Sequence, residues 1–306
     1  DAATEADALV AQLGKCPGAL GREAEALRVR GKLEQAAKVY QAMLERDPGL
    51  VAVATQLANA WVSLRRYEEA AALLARLAAL WPRNAQVLKA LGDVHDYAGK
   101  PALALKAREE ALLRDGADLA LRRLVERTKG GKEVLEARAI STEEALKAYE
   151  AAPGAEDVPA AYILDAAAVR AYPDGSQVDR IHIIQKALDQ SGVSEVGEGN
   201  LPAGAVVLKL RTLKADGRVL EPESIEGKDA VSLPGVQVGD FVEYEYLLAH
   251  PPRGPTQPGF TAGSFYFQIA RQPNNWSTYA VAADKGTGLK VDAHNMIAPL
   301  PRVEGE

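Results

Sequence analysis

Tyr67-Glu68-Glu69-Ala70-Ala71-Ala72-Leu73-Leu74-Ala75-Arg76-Leu77-Ala78-Ala79-Leu80-Trp81-Pro82 is the stretch whose reading decides the fold. Its apolar residues recur at helical spacing, and Pro82 closes it. Ala70 has a counterpart 34 residues upstream, Ala36, and another 34 downstream, Ala104. Twelve residues after each alanine comes a helix-ending signal: Pro48, Pro82 and Gly116. A period of 34 is the length of a helix–turn–helix solenoid unit. The best unit spans 51–82, with Leu57, Ala58 and Trp61 on its first helix and Tyr67, Ala70, Leu74 and Leu77 on its second. Small residues let the two helices approach, and large ones fill the space between neighbouring pairs. The preceding unit supplies Leu20, Ala24, Leu27, Gly31, Leu33, Ala36 and Tyr40. The following one supplies Leu88, Leu91, Gly92, Gly99, Ala104 and Ala111, with Arg108 where an aromatic is expected. Pro101 stands at the start of a helix, where proline is tolerated.

Over about residues 17–116 these positions resemble the tetratricopeptide repeat family. The resemblance implies that the first helices of successive units line a concave, peptide-binding face. The residues turned inward are then Glu25, Arg28, Thr55, Asn59, Ser63, Lys89, Asp93, Asp96, Tyr97, Arg123 and Arg127. Of these, Asn59, Ser63, Lys89, Asp93, Asp96, Tyr97, Arg123 and Arg127 are the candidate groove: amides pair with backbone, and charges set register. Gly21 and Glu25 stand where the family's carboxylate clamp would place Lys and Asn, which argues against a chaperone-tail ligand. Beyond Gly116 a helix is predicted at 118–127, then a break at Gly130-Gly131. Ser141-Thr142-Glu143-Glu144 has the form of a capping box opening a helix to about residue 151. Both helices are expected to close the solenoid, giving a first domain of 1–152.

From about residue 153 the composition shifts to Val, Ile, Tyr, Gly and Pro. Strands are predicted at 162–172, 177–187, 205–214, 218–220, 240–248, 264–271, 278–283 and 289–292, with no helical interludes. Asp216-Gly217 is a tight hairpin signal. Val242, Tyr244, Tyr246 and Leu248 alternate with Glu243 and Glu245, which reads as one buried and one wet face. The expected fold class is α + β multidomain, a helical solenoid followed by an antiparallel β-sandwich at 153–306. Tyr172-Pro173-Asp174-Gly175, Asp216-Gly217-Arg218-Val219-Leu220 and the run from Leu233-Pro234-Gly235 to Tyr244-Glu245-Tyr246 carry a second resemblance. It is to the β-rich domain of unknown function that precedes bacterial transglutaminase-like cores, over about 160–295. That resemblance implies a transglutaminase-like domain after Glu306 and a bacterial extracytoplasmic setting. The polar start Asp1-Ala2-Ala3 fits a chain whose leader has been removed.

The chain has 306 residues, 47% of them hydrophobic, and a formal net charge of −6. This describes about two globular domains and argues against nucleic acid as a main partner. No apolar run is long enough for a transmembrane helix. Cys16 is the one cysteine, set before Pro17 outside any nucleophile constellation, and is read as an incidental thiol. His95, His182, His250 and His294 show no metal-ligand spacing; His95 is a packing position and His182 an outward strand residue. Gly197-Glu198-Gly199 is too short and acidic to cradle phosphate. Glu243 and Glu245 are read as a solvated strand face rather than an acid–base pair. Asn275-Trp276-Ser277 has the form of a glycosylation acceptor, a triplet common by chance. Trp276, Tyr266 and Tyr279 form a sugar platform only if they share a face; core or edge packing is favoured.

No cofactor or metal follows from these residues, and no enzyme activity is expected in this segment. The leading function is protein–protein interaction within a larger bacterial transglutaminase-like protein. The alternative is carbohydrate or envelope-polymer binding by the β domain, with the repeats as spacer.

Overall fold

The computed structural model describes residues 4, 17–154, 157–222, 230–252, 259–268, 273–291 and 294. It contains two compact units, 1–115 and 116–306.

The first unit is built from α1 (Pro17–Val29), α2 (Leu33–Arg46), α3 (Val51–Ser63), α4 (Tyr67–Leu80), α5 (Ala85–Tyr97) and α6 (Pro101–Leu112). Ala24, Ala36, Ala58 and Ala70 are buried in one core with Leu57, Trp61, Leu74 and Leu77. Ala104 is buried in the third unit. The turn inside each pair repeats the same backbone. Gly31, Arg65 and Gly99, spaced by the period, all have φ between 59° and 71°. The residue after each donates its N–H back to Leu27, Trp61 and His95 respectively, the closing bond of a Schellman-type cap. Glycine adopts this left-handed conformation freely, whereas Arg65 adopts it at a cost. Ion pairs on the rim also repeat: Arg66 with Glu34 at 3.4 Å and Lys100 with Glu68 at 2.6 Å.

The third pair departs from the others where the sequence does. Arg108 occupies the position of Tyr40 and Leu74 and is 6% exposed. A Cβ at Gly92 would lie 2.9 Å from its Cγ and 3.2 Å from the Ala104 carbonyl. The missing side chain at Gly92 therefore makes the room that Arg108 fills.

The second unit begins ahead of the composition shift, so the expected 152/153 boundary falls inside it. Helices α7 (Leu119–Thr128) and α8 (Thr142–Ala151) were expected to cap the repeats; their apolar faces lie on a sheet instead. Leu119 packs with Val134, Val178 and Leu247, and Ala145 and Tyr149 pack with Ile163, Leu164 and Ile184. The strands are β1 (Ala160–Ala171), β2 (Gln177–Ala187), β3 (Glu198–Asn200), β4 (Val206–Leu213), β5 (Val219–Leu220), β6 (Ala230–Ser232), β7 (Phe241–His250) and β8 (Asn274–Ala282). A short helix, α9 (Gln190–Val196), follows β2 and is the helical interlude that the alternating patterns hid.

Among the described residues the strands form a six-stranded sheet, β5-β4-β7-β2-β1-β8, and a two-stranded ribbon, β3-β6. The sheet is mixed because β8 runs parallel to β1. The expected antiparallel sandwich is thus replaced by one mixed sheet covered by helices. The described parts of two predicted strands, 264–268 and 289–291, are irregular; the rest of those predictions falls outside the described residues.

The motifs of the second half are turn anchors. Asp174 accepts the N–H of Gly116 at 2.9 Å and that of Ser176 at 3.0 Å. Arg122 donates to the Gly116 carbonyl and lies 3.2 Å over the Tyr172 ring. Asp240 accepts from Ala215 and Gln237 and pairs with Lys214, fixing the turn before β7 against the end of β4.

Candidate functional site

The first candidate is the face of α3 and α5. Asn59, Ser63, Asp93, Asp96 and Tyr97 are exposed, and Lys89 is half-buried. Tyr97 is 67% exposed. The buried sides of the same helices carry Ala54, Leu57, Trp61, Val87, Leu88 and Val94, so these residues turn outward because their neighbours turn inward. Asp93 and Asp96 are paired within the repeat: Arg108 reaches Asp93 at 2.8 Å and Asp96 at 2.6 Å. Burial works against the Arg108 charge, and the two aspartates outweigh it. The Ser63 hydroxyl donates to its own helix at the Asn59 carbonyl. Arg123 and Arg127 lie on α7 in the second unit, both paired with Glu133. The first six residues therefore share one unit, and the last two belong to another.

The second candidate was missed by sequence reasoning. Glu243 and Glu245 do not face water; they are 0% and 1% exposed. His182, read as outward, is also buried. All three lie on the sheet face covered by α8 and the segment before it. The register sets cations opposite acids across three strands: His182 faces Glu245, Glu245 faces Lys209, and Glu243 faces Arg211. Arg211 Nε donates to Glu243 at 2.6 Å. Arg180 Nε donates to Glu245 at 2.7 Å, and Lys209 pairs with Glu245 at 2.8 Å. Thr142, the first residue of α8, donates to Glu243 and accepts from Lys209 and Arg211. Burial alone would raise the Glu243 carboxyl, but hydrogen bonds from His182, Thr142 and Arg211 hold it down at about 2. Glu245 is likewise held low against burial by Lys209 and by the charges of His182 and Arg180.

A bulge makes this alignment possible. Between Val207 and Lys209 the β4–β7 register slips by one residue, leaving Leu208 unpaired. Without the slip, Lys209 and Arg211 would point to the other side of the sheet. With both carboxylates sealed and multiply bonded, the cluster has no room for a substrate. Its chemistry is structural: it ties β2, β4, β7 and the start of α8 together. The missed signal is that apolar residues flank the charges on the same face, Val178 and Ile184 in β2, Phe241 and Leu247 in β7.

The remaining candidates do not assemble. Trp276 packs toward the α8 side with Ala145 and Leu164. Tyr279, three residues on, stacks on Phe265 at 5.1 Å. An odd spacing along a strand puts two side chains on opposite faces, so they form no shared platform. Cys16 lies outside the described residues. Among the described residues, no group of three or more His, Cys, Asp or Glu is placed to hold a metal ion. No helix there is long and apolar enough to cross a membrane.

The tetratricopeptide repeat family profile matches residues 27–94. The chain carries a tetratricopeptide repeat domain. No curated protein matches the chain. Among solved structures, MamA 41-end from Desulfovibrio magneticus RS-1 is similar at 18% identity and a TM-score of 0.33. The alignment covers 38% of this chain and 65% of that one, just under two thirds of its length. A second structure, described as the first TPR of Spaghetti (RPAP3) bound to HSP90 peptide SRMEEVD, has 18% identity and a TM-score of 0.34, covering 37% and 90%. MamA AMB-1 has 21% identity and a TM-score of 0.35, covering 42% and 83%.

Proposed function

We propose that this chain is a non-catalytic protein–protein interaction segment that binds a peptide or protein on the first helices of its repeats. The reading rests on one observation: a repeat match at 27–94, with an outward polar stripe on α3 and α5 opposite a continuous core. Asn59 and Ser63 offer hydrogen bonds. Lys89, Asp93 and Asp96 set charge register, and Tyr97 offers aromatic area at low entropic cost. Arg108 is part of this face, since a ligand reaching Asp93 or Asp96 competes with its guanidinium. Arg123 and Arg127, paired with Glu133 in the second unit, are not assigned to this face. The wider setting is a bacterial, extracytoplasmic protein with a transglutaminase-like domain further along the native chain, in keeping with the motifs at 172–175, 216–220 and 233–246.

The test is capture of a partner from the source cell by the wild-type chain, by Asn59→Ala/Lys89→Ala and by a fragment ending at residue 115. The reading expects a partner that the fragment keeps and the double variant loses. A partner held equally by wild type and double variant, yet lost by the fragment, assigns binding to the second unit.

A further inference from the structure

We propose that the loop edge between the second and third helix pairs anchors a peptide segment in which an apolar side chain stands beside a carboxylate. The apolar group seats on Trp81, and Arg83 and Arg114 hold the carboxylate. The proposal rests on the peptide-binding reading above and adds a site at the N-terminal end of α5. The repeat supplies its own control. One period before and after Leu80-Trp81 stand Arg46-Asp47 and Arg114-Asp115. All three turns close with the same backbone bond: Asp47, Trp81 and Asp115 donate their N–H groups to the carbonyls of Met43, Leu77 and Ala111. A charged pair therefore makes this turn as well as an apolar pair does. Yet Leu80 and Trp81 are 59% and 50% exposed, and Leu113, just before Arg114, is 63% exposed. Exposed apolar surface that the fold does not require marks an interaction site.

The surroundings give the ligand its chemistry. Trp81, Pro82, Arg83, Gln86, Arg114 and Asp115 line an open cleft of about 690 Å³. The indole leans on the preceding loop, where a Cβ on Gly49 would lie 3.6 Å from Trp81 Cζ2. Arg114 is fixed as well: Nε donates to the Pro82 carbonyl at 3.1 Å and Nη1 to the Glu110 carbonyl at 2.9 Å. Its Nη2 remains for a ligand. Arg83 is exposed and has no ion-pair or hydrogen-bond partner among the described residues. Asp115 offsets one of the two cations, which leaves the cleft positive and suited to a carboxylate. The first N–H groups of α5 do not serve, because Asn84 Oδ1 accepts those of Gln86 and Val87. Gln86, Lys89, Asp93 and Tyr97 follow one another at helical spacing along α5. A peptide anchored at Trp81 therefore runs on along the face already described.

The test uses the whole chain and two small probes, hydrocinnamate and phenylpropylamine, which share a ring and differ in charge. Saturation transfer from protein to probe ring, read by NMR, reports contact. The proposal expects stronger transfer to hydrocinnamate and a shift of the Trp81 indole N–H signal, with those of Trp61 and Trp276 unmoved. Trp81→Asp gives this turn the residue of its neighbours; it should keep the helical spectrum and cut the transfer about tenfold. Arg83→Ala should reduce the preference for hydrocinnamate over the amine. No transfer, equal transfer to both probes, undiminished transfer in Trp81→Asp, or an unreduced preference in Arg83→Ala overturns the proposal. Partner capture with Asn59→Ala/Lys89→Ala is read separately, so failure of the groove and failure of this anchor are told apart.

Discussion

In the repeat unit, charge stays mostly on the rim. Glu34, Arg66, Glu68 and Lys100 pair across neighbouring hairpins while alanine and leucine fill the interior. In the sheet unit, two glutamates, an aspartate, two arginines, a lysine and a histidine are interior. The difference follows from how each unit is assembled. Repeats are stabilised by like neighbours in sequence, so an apolar pattern copied at a fixed period is sufficient. The sheet brings residues 142, 180, 209 and 243 together from four separate elements. Only long-range register can match charges over such separations. The first unit is therefore expected to tolerate loss of a charge, and the second is not.

Glu243→Ala should show this most strongly. It leaves the buried His182 and the partly exposed Arg211 without their acceptor, and breaking a buried pair in this way costs about 3–5 kcal/mol. The check is thermal unfolding beside Glu68→Ala, which removes a rim charge and should leave the melting curve unchanged. Equal effects from the two variants would end the contrast.

Acid should separate the units next. The folded Glu243 carboxyl is depressed from 4.5 to about 2. Its contribution is complete above about pH 4.5 and is lost as pH falls toward about 2. With burial and bonding partly offsetting, it is worth ~3 kcal/mol. An acid titration by circular dichroism should show strand signal lost before helix signal; loss of helix first contradicts the assignment.

Ala70→Trp probes the repeat unit. Ala70 is fully buried where two helices meet, and overpacking there should cost about 1–3 kcal/mol. The loss should appear in the helical transition alone.

The smallest expected effect is a gain. Arg65 holds the left-handed position that glycine takes in the turns before and after it. Arg65→Gly should raise stability by a few tenths to about 1 kcal/mol, strain relief offset by the freer unfolded chain. Calorimetry showing a clear loss would mean that the Arg65 side chain has a role of its own.

Legibility divided along the same line. Ala36, Ala70 and Ala104 could be read because each repeats the environment of the last, and local spacing carries the information. Strand β2 was read to the residue, 177–187, because a turn motif bounds it. The faces of β7 were misread because an alternating strand says which residues lie together and not what lies over them. Glu243 and Glu245 look solvated until Lys209, Arg211 and Thr142 are known to stand opposite. Helices α7 and α8 were assigned to the repeats because an amphipathic face does not name the surface it covers. Of the proposed binding face, the outward positions on α3 and α5 were legible from their buried neighbours. The Arg108 contact with Asp93 and Asp96 was not, since it depends on the gap at Gly92.

Leu208 is a surplus residue in a ladder whose other partners already match. Substituting it changes one partly buried apolar contact, and deleting it lets Val207–Tyr246 run straight on to Lys209–Glu245 with both acids still opposite their cations. In a comparison of natural variants, such a column would hold many different letters, and gaps as well. A residue gained or lost between Lys209 and Arg211 would be less forgiving, since it would turn Arg211 away from Glu243.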